Sequence, residues 1–283
     1  MGRALVSAGT LYVVATPLGN LGDLSERAAH VLGQVALVAA EDTRRTRVLL
    51  LKVGASPRVF AVHAHSPQRR LEQVLTVLER GENVALVTDA GTPGVSDPGA
   101  LLTTQAHDRG IPVRVVPGPS AVAAALSVSG FPADRFTFLG FLPRSGAPRR
   151  ELLAATAASR WTTVMFEAPV RLVALLADLA AACGGSRRAA VARELTKVHE
   201  ELRRGTLDEL AVYYEESPPR GEVTVVIDAA PRHAERKAVR VQDSAAMARA
   251  LLDEGWSRRD AAKRLAEELG VPRNEAYRIV SAL

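Results

Sequence analysis

A rhythm constrains this chain more than any single motif. Between residues 11 and 129 a short apolar run is followed four times by a segment whose apolar residues return at helical spacing. The runs are 11–15, 59–62, 84–87 and 113–116, and a further buried-strand run lies at 35–40. Ser25 is placed to cap the first helix. Leu71, Val74, Leu75 and Leu78 mark another over 68–80, which stops at Gly81, and Gly110 stops the helix over 99–109. Ser120 opens the last, presenting a hydroxyl and backbone N–H groups at its N-terminus. Strands alternating with helices in this way predict an α/β fold with a mostly parallel sheet.

In such a sheet ligands sit beyond the carboxyl ends of the strands, so the segments there carry the chemistry. The strand at 84–87 runs into Asp89, Ala90, Gly91, Thr92, Pro93, Gly94 and Val95, then Ser96, Asp97, Pro98 and Gly99. Glycine lets backbone approach a ligand closely, and proline keeps such a loop stiff. The first strand runs into Thr16-Pro17-Leu18-Gly19-Asn20-Leu21-Gly22-Asp23. Neither the G-x-G-x-x-G fingerprint nor the Gly-Lys-Ser/Thr ending of a P-loop is there, which disfavours a nucleotide phosphate site. The second strand ends in Glu41, Asp42, Thr43, Arg44 and Arg45, a pattern that fits either a solvated ion-pair face or a polar substrate site. His63 and His65 share one strand face, but no neighbouring Asp/His cluster completes a metal site, and no metal is expected.

The rest of the chain departs from the rhythm. The aromatic stretch 136–143 and the basic stretch containing Arg144, Arg149 and Arg150 read as an interdomain connection with a positive loop. Strands at 162–166, 189–192 and 223–227, with helices near 150–158 and 171–181, predict a second α/β domain. Residues 244–253, 257–269 and 272–282 read as three short helices, with Ser257 and Asp260 forming a capping box. The expected domains are 1–130, 131–231 and 232–283. The tail pattern suits a helix-turn-helix unit or a three-helix docking module. From Arg232 onward eleven Lys/Arg stand against eight Asp/Glu.

Composition narrows the setting. No run approaches the roughly 18 apolar residues of a membrane span. A single cysteine, Cys183, rules out an internal disulfide, and the first ten residues lack a signal-peptide core. The cytoplasm is the expected compartment. A net charge of +5 permits a nucleic-acid partner without establishing one, and 4% aromatic content offers no obvious base-stacking platform.

Read in order, residues 16–23, 40–44, 89–93, 96–99 and 117–120, then Phe166-Glu167, Arg193-Glu194-Leu195-Thr196-Lys197 and Gly221-Glu222, resemble the tetrapyrrole-methylase superfamily, most closely its branch acting on small-subunit ribosomal RNA. The resemblance covers about residues 10 to 230, and the tail is similar to the helical module of that branch. It implies two α/β domains with S-adenosylmethionine in the cleft between them, in a homodimer. It also implies methyl transfer to the ribose 2′-hydroxyl of a cytidine in the decoding region of 16S rRNA, on the RNA or the 30S subunit. Carried onto this chain, the loop Asp89, Ala90, Gly91, Thr92, Pro93 and Val95 holds the cofactor. Ser120, Ala121, Phe166, Ala192, Arg193, Glu194, Leu195 and Glu222 complete its pocket, and Leu18 and Gly19 lie where cofactor and substrate meet. One departure is Ser66-Pro67 after the histidines, where the family often has Asn-Glu.

A ribose hydroxyl is a poor nucleophile, so the transfer needs alignment and a group that takes or eases off its proton. Glu41, Asp42, His63 and Lys197 are the candidates, with Arg44, Arg45, Arg144, Arg149 and Arg150 as phosphate-binding cations. A lysine serves as a base only where its pKa is lowered. The competing readings are a methylase of a tetrapyrrole precursor and a non-catalytic RNA-binding assembly factor.

Overall fold

The computed structural model describes residues 7–63, 66–97, 99–231, 244–269 and 273–283. They form two compact units, one reaching Ala229 and the other starting at Ala230.

The first sheet consists of β1 (Leu11–Val14), β2 (Leu37–Ala40), β3 (Arg58–Ala61), β4 (Val84–Val87) and β5 (Val113–Val116), in the order β3-β2-β4-β1-β5. Every pairing is parallel. Helices α1 (Glu26–Gln34), α2 (Thr43–Val53), α3 (Gln68–Glu79), α4 (Ala100–Asp108) and α5 (Ala121–Ser129) follow the strands in turn. β2 and β4 are buried along their whole length, which is why both read as unbroken apolar runs. β1 connects past β4 to β2, while β4 connects past β1 to β5. The two crossovers leave in opposite directions, so the crevice between the carboxyl ends of β1 and β4 is the topological switch point of the sheet.

Helix boundaries follow local chemistry. Ser25 accepts from the Ala28 N–H at 3.1 Å, as its position predicts. Ser120 occupies the cap position of α5 as its place in the sequence predicts, although its hydroxyl makes no capping bond. Helix α2 starts where the sequence reading saw only a charged strand end. Asp42 caps it by accepting from the Arg44 N–H at 2.8 Å, and Gly54, at φ 68°, ends it in the left-handed conformation.

The second sheet is mixed. It contains β6 (Phe136–Phe141), β7 (Thr162–Glu167), β8 (Arg188–Arg193), β9 (Glu201–Thr206) and β10 (Val223–Ile227), in the order β6-β7-β10-β8-β9. Only β6 and β7 are parallel. One face is covered by α6 (Gly146–Ala158), α7 (Leu172–Cys183) and α8 (Leu207–Glu216), around Met165, Leu172, Leu175, Val191, Leu210 and Tyr214. The other face receives α5. Val122, Ala125 and Leu126 pack there on Val164, Ala190, Ala192 and Val226, so the helix that ends the first sheet's run joins the two sheets.

Several expectations are corrected here. The 136–143 stretch contains an edge strand, not a connection, and 146–150 is the first part of α6, not a loop. β9 and α8 were not anticipated. β9 reads Glu-Leu-Arg-Arg-Gly-Thr, a charged run that hides a strand, and charge is what an exposed sheet edge tolerates. The capping box of Thr206 and Glu209 announces α8 in the sequence and was overlooked.

In the second unit a helix over 244–253, here α9, precedes α10 (Arg258–Leu269) and α11 (Arg273–Ser281). Ala248, Leu251, Ala261, Ala262, Leu265, Ala276 and Val280 form its core. Ser257 accepts from the Asp260 N–H at 3.2 Å while its hydroxyl donates to the Asp260 carboxylate. Among the described residues no helix is long and apolar enough to cross a membrane.

Candidate functional site

The switch point is tied together by backbone. The N–H of Thr16 donates to the Gly91 carbonyl at 2.9 Å, and the N–H of Gly91 returns the bond at 3.0 Å. The Thr16 hydroxyl donates to the Thr88 carbonyl at 3.0 Å, and the Thr92 hydroxyl to the Pro119 carbonyl at 3.1 Å. The loops after β1, β4 and β5 therefore meet. Gly91 sits at φ 88°, where a side chain would be strained and a Cβ would press on Leu18.

A group of carboxylates lies beside this junction. Thr88 donates its hydroxyl proton to Asp97 and lies 3.5 Å from Glu41 Oε2. Asp97 also accepts the Gly99 N–H at 3.1 Å, and Ser96, just before Asp97, has φ 56°. Asp89 accepts the Asp42 N–H at 2.9 Å and lies 3.7 Å from Arg45. Partial burial of the Glu41 carboxyl, then the charges of Asp97 and Asp89, raise its pKa above the ordinary glutamate value. Asp42 goes the other way, to about 2, because Arg44 donates side-chain and backbone hydrogen bonds to it.

The facing wall comes from the second sheet. Lys197 Nζ lies 2.8 Å from Glu194 Oε1 and 3.3 Å from Glu222 Oε2. Its aliphatic stem lies on Gly19, so close that a Cβ there would fall 2.2 Å from Lys197 Cγ. Burial alone would lower the lysine pKa, but the bonds to Glu194 and Glu222 outweigh it and the net shift is upward. Between the walls is a cleft of about 360 Å³, lined by Thr16 to Gly19 and Leu21, by Arg45, Thr46, Val48 and Leu49 of α2, and by Thr88, Asp89, Lys197 and Glu222.

Next to this cleft the loop after β4 reaches the second sheet. A Cβ on Gly140, at φ 61°, would stand 2.8 Å from Ser96 Oγ. Phe166 stacks edge-on against Phe138 at 4.9 Å between centroids and lies 5.6 Å from Phe141, which is half exposed. Phe166 and Leu195 pack against the Ala192 and Val122 cluster, directly behind half-buried Ser120 and Ala121 at the start of α5.

The family model described as Tetrapyrrole (Corrin/Porphyrin) Methylases matches residues 10–211. This chain belongs to that family. It is 46% identical to the ribosomal RNA small subunit methyltransferase I of Xylella fastidiosa (strain Temecula1) over 95% of this chain and 98% of that one. To the protein of the same name from Synechocystis it is 42% identical, over 96% and 97%. Uroporphyrin-III C-methyltransferase of Thermus thermophilus, solved with S-adenyl homocysteine, has the same fold: TM-score 0.57, 20% identity, 78% of this chain and 97% of that one.

Within this methylase fold the sequence-predicted residues fall into distinct places. Leu18, Gly19, Asp89, Arg45, Lys197 and Glu222 line the cleft, with Glu194 bonded to Lys197. Ala90, Gly91, Thr92, Pro93 and Val95 follow along the loop, and Ser120, Ala121, Phe166, Ala192 and Leu195 gather at the α5 junction. Arg193 is a correction, since strand alternation turns its side chain to the opposite sheet face, onto Glu201 and the Arg220 carbonyl. Lys197 is another, because a raised pKa keeps it a cation and removes it as a base. Arg149, only 12% exposed, is committed to Asp178 and the Pro143 carbonyl, and so braces α6. Arg44 is folded back onto Asp42, while Arg144 and Arg150 are exposed. His63 is exposed, binds Ser66 Oγ through its backbone N–H at 2.8 Å and does not line the cleft. His65 and Pro98 lie outside the described residues. Sequence reasoning missed Thr88, Asp97, Phe138 and Phe141 as partners of the site. Asp97 stood inside a recognised loop, but its meeting with Glu41 spans more than fifty residues and leaves no local signal.

Proposed function

We propose that this protein transfers a methyl group from S-adenosylmethionine to the ribose 2′-hydroxyl of a cytidine in 16S rRNA. The observation that carries the reading is the 46% identity to a ribosomal RNA small subunit methyltransferase I across nearly the full length of both chains. The residues fit the cofactor chemically. Half-exposed Phe141 beside Phe166 offers a face for an adenine, and the carboxylates of Asp89 and Glu41 suit a cationic sulfur.

When bound, the cofactor supplies a methyl group on a sulfonium, which needs alignment more than activation. The loop from Asp89 to Val95, Leu18 and Gly19, Ser120 and Ala121, Phe166, Ala192, Glu194, Leu195 and Glu222 would hold it. Glu41, which shares the Thr88 hydroxyl with Asp97 beside the cleft, accepts the proton of the 2′-hydroxyl. Thr88 holds Asp97 and Glu41 in register. Lys197 stays protonated and steadies negative charge on the attacking oxygen. Arg45, on the cleft wall, with exposed Arg144 and Arg150, contacts the RNA backbone. The same reading makes the protein a cytoplasmic homodimer with domains at 1–130, 131–231 and 232–283.

The test is to incubate the protein with methyl-labelled S-adenosylmethionine and 30S subunits or 16S rRNA from cells lacking the activity. Nuclease digestion and mass spectrometry then locate the label. Label on a cytidine ribose is the expected result. Cofactor binding without RNA labelling would favour a small-molecule methylase, and absence of cofactor binding would refute an enzyme.

A further inference from the structure

The loop that carries Lys197 is strained and yet held in one place. It joins β8 to β9 across Arg193 and Glu201, which are cross-strand partners. Within it Glu194 has φ 50° and Thr196 φ 66°, left-handed conformations that non-glycine residues keep only where their surroundings enforce them. Within the loop the Lys197 N–H donates to the Glu194 carbonyl at 3.0 Å and the Thr196 N–H to the Glu200 carboxylate, and a second set of contacts lies at its neck, on the sheet face away from the cleft. Arg193 places Nε at 3.1 Å and Nη2 at 2.9 Å from Glu201 Oε2. The other carboxylate oxygen of Glu201 accepts from the Tyr214 hydroxyl at 3.3 Å and lies 3.5 Å from Arg203 Nε. Arg193 Nη1 also donates to the Arg220 carbonyl at 3.3 Å, tying down the turn that delivers Glu222.

These contacts secure both carboxylates that hold Lys197. Glu194 follows Arg193 directly, and its Oε1 accepts the Glu222 N–H at 2.9 Å as well as the lysine ammonium. Glu222 stands two residues after Arg220. Tyr214 is almost fully buried and burial raises its phenol pKa, so it remains a neutral donor to Glu201. Burial works against the Glu201 charge, but Arg193, Arg203 and the Tyr214 hydroxyl together outweigh it and the net pKa shift is downward, so Glu201 stays ionised.

We propose that Arg193, Glu201 and Tyr214 form a clamp that positions Lys197 in the cleft without touching cofactor or substrate. The proposal builds on the proposed function, and Glu201 is its central positioning residue. In the test, Glu201→Gln and Tyr214→Phe are each placed in the wild-type chain and in Lys197→Ala. Two quantities are read: kcat/KM for RNA methylation, and amide hydrogen exchange of residues 194–200. Glu201→Gln is expected to lower kcat/KM about 10- to 100-fold, the range for a misplaced catalytic group. In the Lys197→Ala background the same change should cost less than about twofold, because a clamp acting through Lys197 has nothing left to position. Exchange across 194–200 should rise in both clamp variants while the β1 and β4 amides stay protected.

Equal losses in the two backgrounds, or unchanged exchange at 194–200, would overturn the clamp. If Glu201→Gln fails to fold, Tyr214→Phe, which removes one hydroxyl, carries the same comparison. Hydrogen exchange needs no turnover, so a wild-type chain without methylation would refute the function while leaving the clamp judged on its exchange pattern.

Discussion

Gly19→Ala separates the catalytic cleft from the stability of the fold. The new Cβ would lie 2.2 Å from Lys197 Cγ, 2.7 Å from Cε and 2.9 Å from Cδ. Carbon atoms rest at about 3.5 Å or more, so the lysine stem must retreat by more than about 1 Å. It is a flexible side chain, and the clash is relieved by moving it and not the backbone. The loss to the fold is the ion pairing of Lys197 with Glu194 and with Glu222, whose side chain is 58% exposed. The Glu222 pair meets water and contributes at most about 1 kcal/mol. The Glu194 pair, with side chains 18% and 25% exposed, is shielded and costs more to break, so the melting temperature should fall by several degrees. Activity should respond far more. Displacing a positioned charge by about 1 Å costs on the order of 100-fold, equivalent to about 2.7 kcal/mol of transition-state stabilisation. The assay is kcat/KM for RNA methylation, with thermal unfolding as the companion measurement. A Gly19→Ala variant with wild-type turnover would refute the placement of Lys197, as would an equal further loss when Lys197 is already alanine.

Three other outcomes follow from the geometry. The folded-state pKa of Glu41 is raised above 4.5, so its contribution favours folding below that pH and is lost as pH rises through the folded value. Glu41→Gln should therefore melt higher than wild type at neutral pH while losing methylation; a lower melting temperature at pH 7 would contradict the raised carboxylate pKa. Asp42 is shifted from 3.8 down to about 2, so its stabilising effect is present above 3.8 and disappears as pH falls toward 2. The thermal stabilities of wild type and Asp42→Asn should converge over that window, and a constant difference would show that the charge plays no part. Leu75, fully buried between α3 and the first sheet, should cost about 2–5 kcal/mol as alanine in urea unfolding, and less than 1 kcal/mol would mean the core there is not close-packed.

The parts of this protein that were legible beforehand share one property, a signal contained within a few residues. The parallel strands announced themselves as short apolar runs, most plainly β2 and β4, which are buried along their whole length, and Ser25 and Gly81 marked helix ends through their own backbone preferences. The loop at 89–99 stood out because its glycines and prolines suit backbone that must approach something closely. Where local signals were mixed, reading failed. The charged edge strand β9 looked like a loop, the aromatic strand β6 looked like a linker, and Arg149 of α6 looked like part of a free positive patch.

Sequence alone determined the alternation that makes a parallel α/β sheet, the segments at its carboxyl ends and the family to which they belong. Tertiary structure alone decided what each charged group does. Lys197 became a fixed cation because Glu194 and Glu222 close on it from two different turns. Glu41 became the carboxylate with a raised pKa because partial burial, then the charges of Asp97 and Asp89 brought by the loop after β4, disfavour its ionised form. Arg193 became a strut because strand alternation turned it away from its neighbour Ala192. A pKa depends on burial and on charges within a few ångströms, and those distances exist only once strands far apart in sequence lie side by side.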